Sequence, residues 1–192
     1  MSSEKRRYEL KARAAAQEAT RARIAAAAAS LHQEVGVART TVADIARRAG
    51  VQRVTVYNHF PDLAALLPAC SEHWMADHPL PDLGLAFALD DPEERLRAAL
   101  ALLYPWYRAT APMQERVLGE RGTIPQLDDF LAGSADALVA GMADALAAGF
   151  ERDGARALVG VALDFWTWRR LDREGLGDDD AAALMTAVVR GG

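Results

Sequence analysis

Between Arg21 and Val35 the apolar side chains Ile24, Ala27, Ala28, Leu31 and Val35 recur at the spacing of a helix that buries one face, and Gly36 stops it. Thr41 stands directly before a second, short run from Val42 to Ala49. Its T-x-x-D spacing lets Thr41 and Asp44 satisfy each other's unpaired backbone donors. Gly50 follows, the residue a chain needs where a helix ends left-handed and turns sharply. From Arg53 to His59 the β-branched pair Val54 and Thr55 weighs against helix. Yet Val56 and Phe60, at i and i+4, join Ile45, Ala46, Ala49 and Val51 as one core. Arg53, Thr55, Asn58 and His59 then point outward.

Asp62 caps a fourth predicted helix with Leu63, Leu66, Leu67 and Trp74 on its apolar side and a bend at Pro68. His78-Pro79-Leu80-Pro81 ends it, and 79–89 reads as a connector. Asp90-Asp91-Pro92-Glu93-Glu94 opens the next helix, which turns Leu96, Leu100 and Leu103 inward until Pro105 interrupts it among Tyr104, Trp106 and Tyr107. Pro112 is expected to begin a short helix ending near 119–122. A long helix follows over 125–150, with Leu127, Leu131, Ser134, Leu138, Met142 and Ala145 in one stripe. Over 156–170 a single helix carries Leu158, Val161, Ala162, Phe165 and Trp168 on one side and Val159, Leu163 and Trp166 on another, so it must be buried on both. Asp178 to Asp180 open a last helix with Leu184, Met185, Val188 and Val189. No alternating run is long enough for a strand, and the expected class is all-α.

Charge changes the picture more than composition does. Residues 1–60 hold 11 Lys/Arg against 5 Asp/Glu, net +6, while the whole chain is −5, so residues 61–192 carry −11. One end suits a polyanion and the other does not. Residues 1–20, with Lys5, Arg6, Arg7, Lys11 and Arg13, read as a basic arm, either a disordered tail or a backward extension of the first helix that follows DNA backbone or minor groove. Cys70 is the only cysteine, which excludes an intramolecular disulfide and is compatible with a reducing cytoplasm. No stretch approaches ~20 uninterrupted apolar residues, and MSSEKRRYEL lacks the apolar run of a secretion signal. A cytoplasmic location without membrane attachment is expected. Cys70, His73 and His78 lack a recognised metal-ligand spacing. No nucleophile elbow, phosphate-binding glycine loop or H-E-x-x-H motif appears, so neither catalysis nor a cofactor is expected.

The contiguous pattern T-x-x-x-I-A-x-x-A-G-V-x-x-x-T-V-Y-x-H-F over Thr41 to Phe60 resembles the amino-terminal domain of TetR-type transcriptional regulators. Three positions depart from that pattern: Gln52 replaces a usual capping serine, Leu63 a usual lysine and Ala64 a frequent glutamate, each removing a supporting contact rather than the reading surface. The resemblance implies a three-helix helix-turn-helix DNA-binding domain over 21–67 joined to a larger helical effector-binding and dimerisation domain over 68–192. By residue type, Arg53 suits guanine and Asn58 adenine, with Thr55 beside them. Tyr57, His59, Thr41 and Arg47 or Arg48 suit phosphates. Tyr104, Trp106, Tyr107, Phe165, Trp166 and Trp168 read either as packed core or as the wall of an apolar pocket. Val159, Leu163, Trp166, Leu184 and Val188 are the expected dimer interface, a four-helix bundle with a second copy. The implied function is a repressor released from a palindromic double-stranded DNA operator by a small apolar or aromatic effector. The alternatives are an all-α ligand-binding protein or helical enzyme with a vestigial DNA-binding module, and a DNA-binding regulator without effector.

Overall fold

Ala12, Ala14, Ala15, Ala16 and Ala19 are the strongest helix formers available, and in a computed structural model of the chain they carry helix α1 (Ser2–Val35) through the whole amino-terminal stretch. The structure describes residues 2–191, with side chains from Arg6 onward; the Lys5 side chain of the predicted arm lies outside them. No strand occurs among the described residues. The chain divides into two compact units, one of residues up to 78 with 115–130, the other of residues 79–114 and 131–192.

In the first unit α1 ends at Gly36, whose φ is +89°, and packs against α2 (Val42–Ala49) and α4 (Leu63–Asp77). The short α3 (Arg53–His59) lies between them in sequence and packs on α2. Ile24, Ala28, Leu31, Ile45, Val56 and Phe60 are buried together as the period predicts. The Asp62 carboxylate caps α4 by accepting the Ala65 N–H at 2.8 Å, and α4 runs on through Pro68.

Beyond residue 78 the chain departs from the sequence expectations at four places. The connector over 79–89 contains a helical turn, α5 (Gly84–Phe87). Helix α6 (Pro92–Gly119) is continuous through Pro105 and Pro112, neither breaking it nor starting it anew. Both prolines lie exposed while Leu100, Leu103, Tyr104, Tyr107 and Thr110 are buried. Packing of that buried face outweighs the one hydrogen bond each proline removes. Next, α7 (Pro125–Leu131) is joined to α8 (Ala137–Ala147) by a π-helical turn, Ala132–Asp136. One π turn adds a residue and rotates the following helix by about 100°. The predicted stripe therefore splits: Leu127 and Leu131 are buried, but Leu138 is exposed and Ala143 and Leu146 take the buried side. This run, 125–147, has the length and mean hydropathy, 1.4, of a membrane span, but Asp128, Asp129, Asp136 and Asp144 interrupt it.

The fourth departure is the break in the predicted helix over 156–170. Asp164 adopts extended backbone, ψ 130°, ending α9 (Ala155–Leu163) and capping α10 (Phe165–Arg173), where its carboxylate accepts the Thr167 N–H at 2.9 Å. The break frees carbonyls at the end of α9, and two buried phenols use them. Tyr104 Oη donates to Ala162 O at 2.8 Å and Tyr107 Oη to Leu163 O at 2.6 Å. The last helix, α11 (Asp178–Arg190), is tied to α6 through Arg108, which donates to both Asp178 oxygens at 2.9 Å and to Asp172 at 2.6 Å. Those Arg108 bonds hold the Asp178 carboxyl below its usual range.

Candidate functional site

Helix α3 has two faces. Val56 and Phe60 are each 2% exposed and face the core, whereas Arg53, Val54, Tyr57 and Asn58, at i, i+1, i+4 and i+5, share an exposed face. Thr55 and His59 are half-buried at its margins. Gly50 makes the turn between α2 and α3: its φ is +66° and its N–H donates to the carbonyls of Ala46 and Arg47. Gln52 enters α3 without a side-chain cap. Val54 was passed over in the sequence because β-branching counts against helix. Its i, i+4 relation to Asn58 was the available signal, and its methyl groups suit a thymine methyl.

The residues expected on phosphates divide. Tyr57 is exposed, and Arg47 is exposed with a 2.5 Å bond to Asp44. Arg48 is exposed but paired within the domain. Its guanidinium donates to both carboxylate oxygens of Glu34, at 2.5 and 2.8 Å, and to the Ser30 hydroxyl at 2.7 Å. Those bonds brace α2 on α1 and hold the Glu34 carboxyl below its ordinary range. Thr41 caps α2, its hydroxyl accepting the Asp44 N–H at 3.2 Å and donating to the Asp44 carboxylate at 2.6 Å. The return bond thus reaches the hydroxyl rather than the Thr41 N–H. The His59 carbonyl accepts from Arg21 Nη1 at 3.0 Å, and the Arg21 guanidinium stacks 4.2 Å over the Phe60 ring. Arg21 therefore fixes α1 beside the end of α3.

A second residue missed in the sequence holds the loop before α2. Glu120 Oε2 accepts the N–H groups of Val37 at 2.7 Å and Ala38 at 3.1 Å. A Cβ on Gly36 would lie 2.1 Å from Glu120 Oε1, so glycine there both allows the positive φ and leaves room for the carboxylate. No local pattern links residues eighty positions apart.

In the helical unit the two predicted aromatic groups do meet. Tyr107 lies 5.6 Å from Phe165 and 5.9 Å from Trp168, and Phe165 lies 5.2 Å from Trp166. Four of the six meet as core, the packed reading of the two that the sequence left open, and not as a pocket wall. Tyr104, Tyr107, Phe165 and Trp168 are at most 5% exposed, both phenols are bonded, and Trp168 Nε1 donates to Asp178 at 3.0 Å. Trp106 is half-buried and Trp166 is 41% exposed. A cleft of about 310 Å³ lies elsewhere, lined by Leu80, Leu83, Phe87, Leu103, Leu138 and Met142. Of the predicted interface, Val159 and Leu163 are 0% exposed inside the single chain and belong to its core. Trp166, Leu184 and Val188 are outward, joined by Val161 at 48% exposure.

Fold and site define a class: an all-α protein whose amino-terminal helix-turn-helix carries an exposed polar face, followed by a separate helical unit. Residues 24–70 match the family of bacterial regulatory proteins, tetR family. The chain is 47% identical over 58 residues to an uncharacterized HTH-type transcriptional regulator of Mycobacterium tuberculosis, a stretch covering 30% of this chain and 31% of that protein. It is 49% identical over 61 residues to the HTH-type transcriptional regulator TtgR of Pseudomonas putida, covering 31% and 29% of the two chains. The match thus spans about a third of each relative. A solved TetR-like transcriptional regulator from a Rhodococcus species superposes with a TM-score of 0.62 at 20% identity, covering 87% of this chain and 91% of that one. A solved Clostridium perfringens protein does so with 0.63 at 17% identity, covering 87% and 96%.

Proposed function

We propose that this chain is a homodimeric transcriptional repressor that reads a palindromic operator with α3 and is released by a small apolar molecule bound in the helical unit. The observation that carries the reading is the division of α3: a buried anchor of Val56 and Phe60 and an outward set of Arg53, Val54, Tyr57 and Asn58. Arg53 opens the helix, the end from which such helices contact base edges. Arg53 would bond guanine in a bidentate pair, Asn58 would bond adenine, and Tyr57 and Arg47 would hold phosphates. The outward apolar residues Val161, Trp166, Leu184 and Val188 would meet a second copy, placing two α3 helices about 34–36 Å apart, one turn of DNA.

For the effector, the apolar cleft beside α5 is a better receptor than the aromatic core, because the core is filled and its polar groups are satisfied. Binding there would favour a dimer with a different α3 spacing. The test is selection of bound duplexes from a random pool, followed by Arg53→Ala. The variant should lose ~1–3 kcal/mol on the selected operator and relax preference at one base pair per half-site. Equal loss on operator and random DNA would assign Arg53 to a phosphate, and failure to enrich any sequence would favour a ligand-binding protein with a vestigial module.

A further inference from the structure

Beyond the reading helix, α1 extends the protein's basic surface. Every side chain from Arg6 to Ala19 is exposed, so this half of α1 is folded without support from a core. Between residues 6 and 23 there are six basic side chains, Arg6, Arg7, Lys11, Arg13, Arg21 and Arg23, and two acidic ones, Glu9 and Glu18, net +4. At 100° per residue Arg6, Arg7, Lys11 and Arg13 fall within an arc of about 160°, one side of the helix, and the large apolar side chains of this half, the exposed Tyr8 and Leu10, do not share one face, so they form no stripe. A lipid surface or an apolar groove on another protein would need such a stripe. A helix with its cations along one exposed side suits a polyanion whose phosphates run beside it.

Position supplies the second argument. At Arg21 the helix is bonded to the His59 carbonyl and stacked on Phe60, the carboxyl end of α3. From that anchor the fifteen residues back to Arg6 project for about 22 Å. The cationic segment therefore leaves the domain beside the helix that the proposed function lays in the major groove. The stretch matching the tetR family begins at residue 24 and does not include it.

We infer that the amino-terminal half of α1 is a helical DNA-binding arm that lies along phosphates flanking each half-site, using Arg6, Arg7, Lys11 and Arg13. It contributes affinity and footprint without base preference. This inference rests on the DNA-binding reading of α3, and the experiment separates the two. The full chain and a variant with all four residues changed to Gln, which preserves helix propensity, are titrated with the selected operator and with a random-sequence duplex over a salt series. Each lost phosphate contact should lower the slope of log affinity against log salt by about 0.9. The variant should lose about tenfold or more at low salt, equally on both duplexes, and hydroxyl-radical protection should contract at both ends of the operator. Arg53→Ala, in contrast, should lose affinity on the operator alone. Unchanged slope and footprint in the variant overturn the arm while leaving α3 as the reader. Loss on the operator only would also overturn it, since that outcome means base contacts. Absence of duplex binding by the unaltered chain overturns both readings. Binding of anionic phospholipid vesicles that the four changes abolish, with DNA binding intact, would assign the arm to membranes instead.

Discussion

Removing the Glu120 carboxylate tests whether the loop that delivers α2 and α3 is held from outside the three-helix module. Its two bonds, at 2.7 and 3.1 Å, satisfy the Val37 and Ala38 N–H groups at a point where the chain has just left α1 through a left-handed glycine. Hydrogen bonds to a charged acceptor are worth about 1.5–3 kcal/mol each when well buried. Here the Val37 amide is part-buried and the Ala38 amide is exposed, so water replaces much of the second bond. Glu120→Ala should then destabilise the loop by about 2 kcal/mol, nearly all of it through Val37. Glu120→Gln keeps a neutral acceptor and should lose about half as much. The direct assay is amide exchange. The Val37 N–H should exchange about thirtyfold faster in the Ala variant, the equivalent of 2 kcal/mol, with Ile24 and Ile45 amides unchanged. Specific operator binding should weaken, because α2 is entered through this loop, while the slope of binding against salt stays constant, because Glu120 touches no DNA. Val37 exchange equal in wild type and variant would refute the reasoning and reduce Glu120 to a surface acid.

His32 is buried among α1 and α4 with Nδ1 3.6 Å from Cys70 Sγ and no partner on Nε2, and burial lowers its pKa from 6.5 to about 4. The unfolded chain therefore binds the proton first: the stability is full above pH 6.5 and falls as pH drops toward 4, by about 3 kcal/mol from this group. Denaturation of His32→Gln against wild type across that range should show the difference, and parallel curves would contradict it. Tyr107→Phe leaves the buried Leu163 carbonyl unsatisfied and should destabilise by about 1–3 kcal/mol in a thermal melt; no shift would mean that water reaches that carbonyl. Val188→Asp should give a folded monomer by sedimentation, since Val188 is 41% exposed in the single chain, whereas Leu163→Asp should unfold it, since Leu163 is 0% exposed. A dimeric Val188→Asp protein would remove α11 from the interface.

The helix-turn-helix was legible because the signals that mark it in the sequence are local. Thr41 and Gly50 act through partners within a few residues, Val56 and Phe60 stand at the period of one buried face, and cap, turn and period all point to one answer, while Arg21 and Glu120 brace the result from a distance. The same local reading failed where a distant partner decides. Pro105 looked like a break, but burial of Leu103, Tyr104 and Tyr107 keeps α6 whole. The helix over 156–170 looked whole, but Asp164 divides it, and the divided end is stable because phenols from sixty residues earlier bond its carbonyls. Those two errors are one error. A continuous α6 carries Tyr104 and Tyr107 on one buried face, one turn apart in register, and that spacing is what reaches two adjacent carbonyls, Ala162 and Leu163, at the end of a broken α9. Had Pro105 broken the helix, the two hydroxyls would not share a face. Of the two readings of the aromatic residues, Tyr104, Tyr107, Phe165 and Trp168 follow the packed one, and the two phenols close a helix terminus. A cleft that packing leaves open lies instead among Leu, Met and Phe87 side chains around α5, residues that no motif distinguishes. Which space stays open in the helical unit is thus decided by long-range contacts, a property of the assembled unit rather than of any stretch of its sequence.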